Sequence, residues 1–126
     1  MYQSTVLIVE DEPLLRMVLA DTLLGEGFDV VETANVLEAI AVLGQTKIDA
    51  VITDIDMPGG LSGLDLAKMI STARMTIPTI IVSGRHVLRN EDVPGDAIFI
   101  PKPYSMDAVV ELITSMTQAE INRIAK

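Results

Sequence analysis

Short runs of apolar, β-branched residues alternate along this chain with stretches whose apolar residues recur every three or four positions. Thr5–Val9 is short, continuous and β-branched enough for a buried strand. It runs into three acids, Glu10-Asp11-Glu12, and Pro13 suits the first turn of a helix. Leu14, Leu15, Val18, Leu19 and Leu23 follow at helical spacing, predicting an inward stripe that stops near Gly25 and Gly27. Phe28–Val31 predicts a second strand. Asn35, with Glu38 three residues on, is a capping-box-like start. The helix it opens is expected to bury Leu37, Ile40, Ala41 and Leu43 and to end at Gly44.

Ala50–Thr53 predicts the third strand, leading straight to Asp54. Ser62 and Asp65 repeat the cap pattern for a helix running to about Ala73, with Leu66, Met69 and Ile70 inward. Thr79–Val82 and Ala97–Ile100 read as the fourth and fifth strands, ending at Ser83-Gly84 and Pro101-Lys102-Pro103. Ser105 can cap a last helix with Val109, Leu112, Ile113 and Met116 on its inner stripe. Between Ser83 and Ala97 the pattern weakens, and Arg85–Asn90 supports at most a short helix before Pro94-Gly95. Ile121 and Ile124 carry the last helical spacing past any obvious core, as a frayed end or a weak partner surface.

Alternating helices and uniformly apolar strands imply an α/β fold, a parallel sheet covered on both faces. Ligands of such sheets bind outside the carboxyl ends of the strands. Four of those ends carry Glu10-Asp11, Asp54, Ser83 and Lys102, which an open sheet would bring to one edge.

Composition narrows the function. With 126 residues, 49% of them hydrophobic, the chain is expected to be one domain spanning 1–126 with a real core and no output domain. No apolar run is long enough to cross a bilayer, so membrane insertion is not expected. The start, MYQSTVLIVEDEP, has no secretory pattern, which makes the cytoplasm the default location. The absence of cysteine excludes disulfides and thiolate metal sites. A net charge of −9, with nine scattered basic residues, argues against direct binding of nucleic acid.

Converging carboxylates repel. Two unit charges about 4 Å apart cost about 4 kcal/mol at an effective dielectric near 20. A divalent cation relieves that repulsion, and ligands made only of oxygen point to Mg²⁺ rather than zinc. A carboxylate, a metal, an ammonium and a hydroxyl together suit phosphoryl transfer, as nucleophile, charge neutraliser, clamp and donor. Each residue also has a plainer reading: helix capping for the acid triplet, turn formation for Asp54 and Ser83, a surface position for Lys102. Their matching places in one predicted fold favour the joint reading.

Over essentially its whole length the sequence resembles the receiver domains of two-component response regulators. The motifs are Val6–Glu12, Asp54 followed by Met57-Pro58 and Gly63, Ser83-Gly84, and Lys102-Pro103-Tyr104. The resemblance implies five parallel strands in the flavodoxin-like order 2-1-3-4-5, an order well known from this family, with helices on both faces. It implies that Asp54 accepts a phosphoryl group from a phosphohistidine on a histidine kinase or phosphotransfer protein. Glu10 and Asp11 would bind Mg²⁺ together with the Asp54 side chain and the Asp56 backbone carbonyl. Lys102 would contact the phosphoryl oxygens, aimed by a cis Lys102–Pro103 bond. Ser83 and the aromatic Phe99 would form the switch read by a downstream protein, in a monomer or weak homodimer.

The departures from the family pattern are specific. Glu10 stands where Asp is usual and reaches one methylene further. Gly59-Gly60-Leu61-Ser62 puts four residues between Pro58 and Gly63 instead of three, and the fourth-helix region is curtailed. Phe99 has no hydroxyl, so a switch there would act only by packing. Asp56 and Arg85 flank the site and are expected to pair across its mouth and control water access. His86, the lone histidine, reads as an exposed loop residue rather than a phosphodonor.

Three other readings fit parts of the chain. Asp54-Ile55-Asp56 after a strand also resembles the first motif of haloacid-dehalogenase-type phosphatases, although that motif belongs on an earlier strand of a longer chain. A flavodoxin-like cofactor carrier should end its first strand in a phosphate-binding loop, not in acids. A receiver used purely as a non-phosphorylated scaffold would not need a complete site.

Overall fold

The structure, a computed structural model, describes residues 3–73, 75–85 and 88–125, with every side chain among them except those at 90 and 119–125. Five strands and four helices follow in order: β1 (Thr5–Val9), α1 (Pro13–Gly25), β2 (Asp29–Thr33), α2 (Val36–Gln45), β3 (Ala50–Asp54), α3 (Gly63–Thr72), β4 (Thr79–Ser83), β5 (Ile98–Pro101) and α4 (Met106–Ala125). The strands form one parallel sheet in the order β2-β1-β3-β4-β5, as expected.

Alternation along β1 shows why both faces are covered. Val6 and Ile8 pack with Leu19 and Leu23 of α1 and with Val109 and Ile113 of α4. Leu7 and Val9 point the other way, onto Val36 and Ala39 of α2 and Leu66 and Ile70 of α3. β1, β3 and β4 are therefore apolar on both sides, and each fully buried Leu or Ile contributes about 1.5–3 kcal/mol.

The caps expected for α2, α3 and α4 are formed. Ser62 and Asp65 form a reciprocal capping box: Asp65 N–H donates to Ser62 Oγ at 3.3 Å, and Ser62 N–H donates to Asp65 Oδ2 at 2.7 Å. At α2, Glu38 N–H donates to Asn35 Oδ1 at 2.9 Å, but the returning Glu38 carboxylate takes the Ala34 N–H instead (2.7 Å). Ser105 accepts from the Ala108 N–H at 3.0 Å.

Several faces differ from expectation. On α1, Leu14 is 64% exposed and Val18 also faces out, while Ala20 joins Leu19 and Leu23 in the core. The buried stripe of α2 runs through Val36 and Ala39, with the expected Ile40 and Leu43 half-buried beside it, but Leu37 is 62% exposed and Ala41 lies in solvent. Met69 of α3 is 39% exposed. Both α1 and α2 carry apolar residues nearly all round, so spacing alone cannot select the face that meets the sheet. α3 has a cleaner polar side, and Leu66 and Ile70 turn inward as its pattern predicts. The inner stripe of α4, with Val109 and Ile113 buried and Leu112 and Met116 half-buried, is also as predicted. The side chains of Ile121 and Ile124 lie outside the described residues.

The link between β4 and β5 is curtailed as expected, but its helical turn is displaced. Among the described residues of the link it is a three-residue 3₁₀ turn at Asn90–Asp92, beginning where the expected short helix ends. Residues 86 and 87, and with them the expected position of His86, lie outside the described residues. Leu88, Val93, Ala97 and Phe99 pack over Ile55, Ala67 and Ile81, so an irregular segment covers this part of the sheet.

Candidate functional site

Strand register brings the polar residues together. Val9 pairs with Thr53 and Asp54 with Val82, so Glu10, one step past β1, stands level with Asp54 at the end of β3. Ser83 pairs with Pro101, and the Lys102 N–H donates to the Ser83 carbonyl at 2.9 Å. The strand ends open into a cleft of about 730 Å³ lined by Glu10, Asp11, Asp54, Asp56, Arg85 and Lys102 among others.

Lys102 is the hub. Its Nζ lies 3.2 Å from Glu10 Oε1 and 3.2 Å from Asp54 Oδ2. The Lys102–Pro103 bond is cis. Asp54 Oδ1 accepts from the Ile55 N–H at 2.8 Å, so its two oxygens are held by a rigid main-chain donor and a movable ammonium. Glu10 Oε2 accepts from the Glu12 N–H at 3.2 Å. Glu12, at the N-cap of α1, makes no cap bond with its own side chain. The capping reading of the triplet therefore survives only in this one bond of Glu10.

Electrostatics follow from burial. Burial raises the Glu10 carboxyl above its ordinary 4.5, and the Asp54 charge adds to this, against the Glu12 N–H and Lys102, which lower it. Burial disfavours the Lys102 ammonium, yet the charges of Glu10 and Asp54 outweigh it and hold its pKa above 10.5. Tyr104, two residues on, has a buried hydroxyl without a hydrogen-bond partner, and burial raises its pKa above 10.0. In the sequence Tyr104 stands out only as part of a motif; its unpartnered hydroxyl is a product of packing.

The donor set suits a hard divalent cation. Glu10, Asp11 and Asp54 each bring one carboxylate oxygen within 4.8 Å of the others, and all are oxygen donors. Two of the three are buried, where unneutralised negative charge is costly. Asp56 is exposed and lines the same cleft.

Neither Ser83 nor Phe99 lines the cleft. Ser83 is buried at the end of β4, its Oγ accepting from the Arg85 N–H at 3.1 Å, and the cleft wall is formed by Gly84 and Arg85 beyond it. Phe99 is half-buried on β5 in the cluster over Ile55 and Ile81, outside the cleft. Gly59 and Gly60 both have positive φ, 103° and 84°, so the lengthened loop uses the conformational freedom of both glycines.

Gly63 was legible only as a motif position. Its N–H donates to the Ile55 carbonyl at 2.9 Å, and a Cβ there would collide with the Asp54 carbonyl oxygen. α3 thus starts against the backbone of the residue at the centre of the site.

A doubly wound parallel sheet with an acid cleft and a lysine at its carboxyl edge defines the class of receiver-like α/β modules. Comparison with known proteins makes this specific: the response regulator receiver domain model matches residues 6–114, and the chain belongs to that family. An NtrX-like response regulator of Rickettsia conorii is 34% identical over 90% of this chain, which spans 25% of that protein. The transcriptional regulatory protein PdtaR of Mycobacterium tuberculosis is 34% identical over 86% of this chain and 54% of its own length. The response regulator receiver protein of Sinorhizobium medicae superposes with a TM-score of 0.85 at 25% identity, covering 93% of this chain and 96% of its own. The family is a signalling module rather than a conventional enzyme. Among the described residues no helix is long and apolar enough to cross a membrane.

Proposed function

We propose that the chain is a phosphoacceptor module in which Asp54 takes a phosphoryl group from a phosphohistidine on a histidine kinase or phosphotransfer protein. The observation that carries this reading is the Lys102 ammonium, 3.2 Å from both Glu10 and Asp54 in an open acidic cleft. An Asp54 carboxylate oxygen attacks phosphorus, the P–O bond forms as the P–N bond breaks, and the leaving imidazole nitrogen takes up a proton. Lys102 is already beside the nucleophile and needs only a small shift to meet the incoming phosphoryl oxygens. Glu10, Asp11, the Asp54 side chain and the Asp56 carbonyl would hold Mg²⁺, which when bound offsets charge on the carboxylates and the phosphoryl group. Ser83 and Phe99 pass the change to a downstream protein, and the setting is cytoplasmic.

Intact mass after incubation with Mg²⁺ and a small acyl phosphate tests the reading. One added phosphoryl group on the parent chain and none on Asp54→Ala is the expected result. No added mass on the parent overturns it, and steady turnover of a phosphomonoester would favour the phosphatase reading instead.

Asp56 and Arg85 line the same cleft, which supports their pairing across its mouth as a control on water access. An exposed pair adds little stability, so the effect belongs in the lifetime of phospho-Asp54. Half-lives unchanged in both Asp56→Ala and Arg85→Ala would end that idea.

A further inference from the structure

We propose that Arg16, a residue outside the cleft, is a positioning residue for Glu10 and hence for the cation-binding carboxylates. The proposal rests on the reading of Glu10, Asp11 and Asp54 as a divalent cation site. Glu10 lies one residue past the end of β1, and each of its polar atoms has a partner. Its N–H donates to the Thr33 carbonyl at 3.0 Å, and its carboxylate is shared between Lys102 and the Glu12 N–H. Its carbonyl has left the sheet ladder and accepts from Arg16 Nη1 at 2.8 Å.

Arg16 makes this bond from the first turn of α1. Its own N–H donates to the Glu12 carbonyl at 3.0 Å, so the same residue closes the first helical turn and, through its side chain, the loop carrying all three acids. Its Nε faces Glu32 Oε1 of β2 at 3.8 Å. The guanidinium thus addresses two acceptors in different directions, which its planar fork permits and a lysine ammonium on a flexible stem does poorly. Glutamate has one more rotatable bond than aspartate, so the direction of its carboxylate depends more heavily on a fixed main chain. Arg16 supplies that fixity.

Positioning and simple charge predict opposite signs. Removing a positive charge near three carboxylates should, through space alone, tighten binding of a divalent cation. Loss of a partner that orients a ligand should weaken it, by about ten-fold at the low end of such effects. Titration calorimetry with MgCl₂ on the full chain separates the two. Arg16→Met is expected to bind about ten-fold more weakly, and Arg16→Lys to lose affinity by a smaller factor. The phosphorylation rate at saturating Mg²⁺ should be retained, while the half-saturating concentration rises. Unchanged or tighter binding in Arg16→Met overturns the proposal. If Arg16→Met does not fold, Arg16→Lys decides, and parent-like affinity there overturns it equally. A parent chain that binds no Mg²⁺, or binds it as well after Asp11→Asn, would refute the cation reading itself.

Discussion

Replacing Lys102 by Met should expose how the acid cluster is held in the absence of metal. Glu10 and Asp54 present oxygens no more than 4.8 Å apart, which corresponds to a repulsion of at least about 3.5 kcal/mol at an effective dielectric near 20. Their side chains are only 4% and 12% exposed, so water screens them poorly, and Lys102 is the cation paired with both. The variant's escape is to protonate Glu10. From the ordinary value of 4.5, that costs about 3.4 kcal/mol at pH 7 but only about 0.7 kcal/mol at pH 5. The expected loss of stability is therefore about 3 kcal/mol at pH 7, in the range for breaking a buried pair, and less than about 1 kcal/mol at pH 5. The sign follows from linkage. A carboxyl raised by burial binds its proton more tightly in the folded chain, so its contribution is full below the unfolded pKa and is lost as pH rises through the folded one. Urea melts of parent and Lys102→Met at both pH values, without divalent cations, provide the measurement. A loss of the same size at pH 5 and pH 7, or none at either, would refute the reasoning.

Gly63→Ala should cost at least about 2 kcal/mol through overpacking against the Asp54 carbonyl. Gly84→Ala, whose new Cβ would meet only Lys102 Cβ at an ordinary 3.6 Å, should stay within about 0.5 kcal/mol. Equal urea midpoints for the two would contradict the close approach of α3 to β3. Tyr104 is held above 10.0 by burial, so the stability tied to its neutral hydroxyl is present at neutral pH and lost as pH rises through the raised value. In a Tyr2→Phe background, phenolate absorbance should rise only above pH 10 and Tyr104→Phe should resist alkaline unfolding better; an ordinary titration would sink this. On α1, Leu23→Ala should cost about 2–5 kcal/mol and Leu14→Ala less than about 0.5 kcal/mol, read from thermal or urea melts. Comparable losses would mean that the face assigned to α1 is wrong.

Much of the site was readable because it depends on strand ends. A run such as Val51–Thr53 stops at a fixed residue, and a parallel sheet aligns those stops, so Asp54, Glu10, Asp11 and Lys102 could be placed at one edge from order alone. Ser83 was placed at the correct strand end, but its hydroxyl orientation was not legible, because it depends on the turn to Arg85. Arg16 carried no signal, since its role is a main-chain contact six residues back that no spacing rule encodes.

By itself the sequence determined the number of strands and their order along the chain, the caps at Asn35, Ser62 and Ser105, and the residues at the four strand ends that meet at the site, whereas β2 runs two residues past its expected end, to Thr33. These are local properties of polar punctuation between apolar runs. Only the tertiary structure decided which sides of α1 and α2 are buried, because helices apolar nearly all round take their facing from the sheet they meet. The same holds for the Lys102 bridge to Glu10 and Asp54, for the unpartnered Tyr104 hydroxyl, and for the tight seat of Gly63 on the Asp54 carbonyl. Each of these joins atoms distant in sequence, at separations set by how the helices and strands pack.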